Sequence, residues 1–245
     1  MRALPLIAAA MVVWSAGASR PALAWTASTR LQLVDDAIKM MPPTLRTALE
    51  KRRDEVRRGM LLPMTEEDAP GHRPAWDRGT LSDSVDAAAR ELVAGANGHA
   101  PFDEIARRFG TLAHFVADAG FPPAAAGPDG VPRYAHFASF CETRRARFPL
   151  VFYGHDNASL ARTDFRGFTS GVLERSRAED LNLARAYAAA SSWNDPVAFD
   201  DRSVPFAIAS LSYSRSVTDI VQAWLAAWKL CHGDLAGTPY RGSSH

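Results

Sequence analysis

Cysteine is nearly absent from this sequence: its 245 residues carry two, Cys141 and Cys231. Two thiols cannot build the disulfide framework that holds small secreted domains together. They either join in one bond or serve as two small buried hydrophobes. Long apolar runs are missing as well. The stretch from Leu4 to Ala16 falls short of the roughly 20 residues that a membrane-spanning helix needs, and charges interrupt every later helical stretch. Neither sign of charge dominates, with 28 Lys+Arg against 27 Asp+Glu. That balance removes any long-range pull toward nucleic acid or an anionic membrane. Period-two alternation, internal repeats and sustained heptads are all lacking, which disfavours sheets, solenoids and coiled coils. There is no GxSxG elbow, P-loop, CxxC, or GxGxxG following a strand.

What is present begins with a targeting segment. Arg2, the apolar run, and Ala22-Leu23-Ala24 with small residues at the −3 and −1 positions read as a signal peptide cleaved before Trp25. Loss of Arg2 and Arg20 takes Lys+Arg from 28 to 26, so the mature charge is about −1 with histidine neutral. The expected organisation is therefore 1–24 signal peptide, 25–232 a single helical domain, and 233–245 a loose tail. The mature protein is expected to be exported, periplasmic or secreted, with no transmembrane anchor after cleavage.

The mature chain reads as helices separated by Pro/Gly punctuation. Leu31, Val34, Ile38 and Met41 share one helical face, and Pro42-Pro43 ends that segment. A charged helix follows from about Thr44 to Gly59, then an aperiodic loop over 63–79. Thr80 or Ser82 caps a helix to Val93. Pro101 opens another at its favoured first-turn position, with Asp103 and Glu104 at the positive end of the helix dipole. That helix runs through Asp118 and stops at Gly120. The stretch 124–130 reads as a flexible loop, with helix again from Arg133 to Arg147. Residues 150–153 read as strand or extended connector. Long helices cover 157–190 and 203–232, the last capped by Asp200-Asp201. His155-Asp156 is polar and helix-capping in character, and His99 and His232 read as surface or helix-end residues. The fold class is all-α, a single multi-helix domain.

The most informative pair is His114 and Asp118, whose i, i+4 spacing puts both on one helix face. Gly110, one turn earlier, is expected to leave free volume above them. Imidazole and carboxylate side by side suit Zn²⁺, and equally suit a structural hydrogen bond. Trp25, at the new N-terminus, offers an α-amino group and carbonyl that chelate a metal in a five-membered ring, or else a hydrophobic anchor. The loop Glu66-Glu67-Asp68-Ala69-Pro70-Gly71-His72 holds carboxylates and a histidine that suit a metal shell or a base, and equally an exposed acidic loop.

These features occur in an order that resembles the bacterial zinc-dependent phospholipase C family, whose fold is shared with single-strand-specific nucleases. The resemblance covers Trp25 to about Arg147. It is clearest in Trp25 with Arg30–Ile38, similar to the family's opening helix, and in Gly110–Asp118 followed by Phe121-Pro122, similar to its L-x-H-Y-x-x-D-x-x-x-P pattern. The resemblance implies that Trp25 and His114 bind zinc, that Asp118 bridges two zincs, and that Asp68 and His72 stand where the family has a loop aspartate and a histidine. On that reading one zinc would be held by Asp68, His72, His114 and Asp118, with Asp68 or a neighbouring carboxylate as base. His136 is the nearest counterpart of a later ligand histidine, although Phe140 stands where its glutamate partner belongs. The family's first-helix histidine falls at Arg30, which stays protonated and cannot ligate. Another falls among Ala124, Ala125 and Ala126. One zinc is therefore expected rather than three.

The function this implies is hydrolysis of phospholipid head groups or other phosphodiesters. The alternatives are a non-catalytic scaffold descendant and a nuclease-like phosphodiesterase. Near-neutral charge argues against a stable nucleic-acid partner.

Overall fold

The computed structural model describes residues 24–66 and 70–236. Ten α-helices are found there: α1 (Ala27–Lys39), α2 (Pro43–Lys51), α3 (Arg53–Leu61), α4 (Leu81–Asn97), α5 (Phe102–Ala119), α6 (Pro122–Ala125), α7 (Tyr134–Arg144), α8 (Ala158–Ala161), α9 (Phe165–Ala189) and α10 (Val204–Leu230). No strand occurs among the described residues, and no helix there is long and apolar enough to cross a membrane. The signal peptide lies outside the described residues except for Ala24, as does the tail beyond Ala236.

Helix α5 is the axle. It packs against α1, α3, α4, α9 and α10, and Ile105, Phe109, Leu112 and Val116 are all buried along it. The long α10 closes over it, with Trp224 Nε1 donating to the Phe109 carbonyl at 2.9 Å. Residue 25 docks from the other side: the Trp25 indole donates to the Ala117 carbonyl at 3.1 Å and is fully buried. Trp25 is thus tied to the middle of the core.

Local chemistry explains most boundaries. Thr26 caps α1 by accepting from the Thr29 N–H. Pro43 occupies the first turn of α2, where its missing donor costs nothing. Other expectations need correction. The single charged helix over 44–59 is two, broken at Arg52. The break lets Leu45 and Leu49 of α2, and Val56 and Met60 of α3, all reach the core, so packing overrides local propensity. The loop 63–79 holds three 3₁₀ turns, Leu62–Glu66, Pro70–His72 and Ala75–Asp77. The flexible loop at 124–130 is a short helix and a further 3₁₀ turn, Gly127–Arg133.

Helix α10 is capped by Ser203, whose hydroxyl accepts from the Phe206 N–H; Asp200 accepts from Arg202 N–H instead. The 150–153 run is extended rather than a strand. Its backbone donates to Ser214 and Thr218 of α10, at 3.2 Å each, and Gln222 donates to the Gly154 carbonyl at 2.8 Å. Three polar side chains at helical spacing thereby replace a strand partner. Cys141 and Cys231 are both free, the first fully buried.

Candidate metal centre

The centre forms where α5, α3 and the 3₁₀ turn at His72 meet. Helices α3 and α5 cross in near-contact: a Cβ on Gly110 would lie 2.0 Å from the Val56 carbonyl oxygen, and one on Gly59 would lie 1.9 Å from that of Arg107. Gly110 therefore leaves no free volume; it lets two backbones touch. The approach delivers the Met60 carbonyl to His114, whose Nδ1–H donates to it at 2.7 Å. With Nδ1 protonated, Nε2 keeps a lone pair directed away from α3.

That lone pair meets two other donors. His72 Nδ1 stands 3.3 Å from His114 Nε2 and 2.8 Å from Asp118 Oδ2. His114 Nε2 is 3.3 Å from the same carboxylate oxygen. Bonds of about 2.0–2.1 Å from a tetrahedral zinc place its ligand atoms about 3.3–3.4 Å apart. Two edges of the triangle match and the third is slightly short. Among the described residues, His72, His114 and Asp118 are the one group of this kind close enough to share an ion. They are 5%, 0% and 1% exposed, and the Phe115 ring lies 5.2 Å from His72 and 5.3 Å from His114.

The other carboxylate oxygen belongs to Arg30. This side chain enters from α1, itself 1% exposed, and its Nη2 donates to Asp118 Oδ1 at 2.5 Å. Its Nε donates to the Trp25 carbonyl at 3.0 Å and its Nη1 to the His114 carbonyl at 3.4 Å. Burial alone would raise the Asp118 pKa; Arg30, His114 and His72 together hold it well below the ordinary carboxylate value. Burial, and then the Arg30 charge, push His114 down, so its neutral form prevails. An ionised carboxylate and a neutral imidazole are the protonation states that a metal requires.

The sequence candidates divide accordingly. His72, His114 and Asp118 converge. Trp25 is adjacent, with its carbonyl engaged by Arg30 rather than directed to the three donors. His136 stands elsewhere, on α7, its Nδ1 bonded to the Tyr187 hydroxyl at 2.7 Å among Trp193 and Phe199. Asp68 lies outside the described residues. Two participants were not among the candidate ligands. Met60 contributes a backbone oxygen that any residue could supply and carried no sequence signal, and Arg30, which stands where the resemblance puts a histidine, acts through its charge rather than as a ligand.

No protein-family model matches this chain, and no curated protein sequence matches it. Solved structures do. An alpha-toxin from an avian strain of Clostridium perfringens superposes with TM-score 0.56 at 12% identity, over 85% of this chain and 63% of that one. The alpha-toxin from Clostridium absonum gives 0.58 at 14% identity, over 86% and 64%. The likeness is one of fold, and it is the all-α phospholipase C fold that the motifs led us to expect. The chain spans less than two thirds of the length of either toxin structure.

Proposed function

We propose that this chain is an exported phosphodiesterase of phospholipase C type, working on phospholipid head groups through a single zinc held by His72, His114 and Asp118. The observation that carries this is the donor triangle of 2.8, 3.3 and 3.3 Å, in which burial and Arg30 keep His114 neutral and Arg30 and the imidazoles keep Asp118 ionised. A divalent ion held there supplies Lewis-acid polarisation of a phosphoryl oxygen and lowers the pKa of water. The chain's own residues prepare that place. Met60 fixes the tautomer and orientation of His114 from behind, as outer-shell carbonyls do for metal-binding histidines. Arg30 keeps Asp118 ionised, and Phe115 screens the imidazoles from bulk water. Asp68, four residues before His72, is the carboxylate we assign as base.

Burial favours a second reading. The opening beside His72, lined by Arg73, Asp77, Gly127 and Tyr134, has a volume of about 20 Å³. That is room for one water and none for a phosphodiester. In the hydrolase reading the turn that carries His72 must move to admit substrate. In the alternative the centre is a buried polar lock inside a non-catalytic scaffold.

Metal content and turnover separate the two. The purified protein is analysed for zinc and assayed with a chromogenic phosphocholine ester, with and without chelator. About one zinc per chain with chelator-sensitive hydrolysis is expected. Zinc near zero and no such turnover would leave the scaffold alone standing.

A further inference from the structure

A carboxylate that serves two cations turns one oxygen to each, and Asp118 is disposed in this way. Oδ2 faces the two imidazole nitrogens, while Oδ1 faces α1. On that second side three oxygens converge: Asp118 Oδ1, the Trp25 carbonyl and the His114 carbonyl, at 2.5, 3.0 and 3.4 Å from successive nitrogens of one guanidinium. A cluster of oxygens, one of them anionic, buried among core helices is a place for a cation. The cation present is covalently part of the chain. Guanidinium stays protonated at every ordinary pH, and its planar fork meets the carboxylate and both carbonyls at once.

Resting on the one-zinc reading above, we propose that Arg30 is a built-in second cation that limits this centre to a single metal. Its charge balances Asp118 from the α1 side, so the carboxylate needs one further positive partner rather than two. It also fills the oxygen pocket that another ion would have to enter. Substituting histidine would remove the fixed charge and set an imidazole among the same three oxygens, a donor set suited to a second divalent ion.

The test is metal stoichiometry, which reads the centre without recourse to activity. Wild type, Arg30→His and Arg30→Lys are purified in zinc-containing medium, checked for helical content, and analysed for metal per chain. One zinc is expected in wild type, two in Arg30→His, and one in Arg30→Lys, which keeps the charge while losing the fork. A folded Arg30→His that still holds one zinc overturns the inference. Zinc near zero in wild type overturns the one-zinc reading itself. Titration of metal-free wild type with Co²⁺ needs no variant: its visible absorption bands should saturate at one equivalent, and saturation at two would refute the role assigned to Arg30.

Discussion

His114 and His136 both sit on core-facing helices, both were candidate ligands from sequence, and burial lowers the pKa of both. Their surroundings make them different residues. His114 has one nitrogen fixed by the Met60 carbonyl and the other within 3.3 Å of an imidazole and a carboxylate oxygen. His136 meets the Tyr187 hydroxyl at 2.7 Å, and rings of Phe199, Tyr187 and Trp193 lie 4.9, 5.5 and 5.8 Å away. A histidine becomes ligand-ready when one nitrogen is anchored and the other shares space with anionic charge. Against hydroxyl and rings it packs as an amphipathic aromatic.

The contrast is most sharply tested by one substitution in each region. Asp118→Ala removes the carboxylate and leaves Arg30 as an uncompensated charge at 1% exposure. Breaking a buried pair in this manner costs about 3–5 kcal/mol, read as a lowered denaturation midpoint, and bound zinc should be lost with it. His136→Phe keeps a ring in the aromatic cluster and forgoes the hydrogen bonds to the Tyr187 hydroxyl and the Trp193 backbone, at a cost of about 1–2 kcal/mol. Its zinc content should equal wild type. Loss of zinc in His136→Phe would mean that the two regions are one functional unit.

A smaller effect should come from the backbone contact that builds the centre. Gly110→Ala inserts a methyl where the Val56 oxygen stands 2.0 Å away and Met60 N 2.7 Å. Helix α3 must withdraw, taking the Met60 carbonyl from His114. Overpacking of this kind costs about 1–3 kcal/mol. Zinc affinity should fall with stability, since outer-shell losses weaken metal sites about 10–100-fold. A Gly110→Ala variant with unchanged zinc affinity would separate the helix crossing from the histidine's orientation.

How far the sequence discloses this depends on the range of each interaction. Local chemistry was legible: prolines at 42, 43 and 101, glycine at 120 and the apolar stripes place most helices, and i, i+4 spacing pairs His114 with Asp118. Contacts between distant segments were not. His72 lies 42 residues from His114, and no periodicity links them; the resemblance to a family did. The break at Arg52 was hidden because neither proline nor glycine marks it, and it exists so that two short helices can both reach the core. Gly110 was misread because a missing Cβ looks the same whether it leaves space or is filled by a neighbouring backbone. Arg30 was set aside as a ligand because guanidinium stays protonated, and its role as counter-charge depends on α1 crossing α5.

The gentlest test compares two buried aspartates. Asp118 is held low by Arg30 and two imidazoles, whereas Asp219 on α10 moves the other way. Burial raises it from 3.8 to about 6, Arg175 and Arg215 pulling it down and Glu179 pushing it further up. Its main partner, Arg175, is 35% exposed, so water screens the pair more than it screens Arg30. A raised folded-state pKa means that the folded chain binds the proton more tightly than the unfolded chain does. That contribution is fully present below about pH 3.8 and is lost as pH rises through about 6. Asp219→Asn imitates the protonated form at every pH. The variant should match wild type near pH 4 and exceed it near pH 8 by something on the order of 1–2 kcal/mol. The measurement is the difference between their denaturation midpoints across that range, in which all other titrations cancel. A difference that does not change with pH would mean that Arg175 holds Asp219 ionised after all, and that partial exposure of the guanidinium does not distinguish the two pairs.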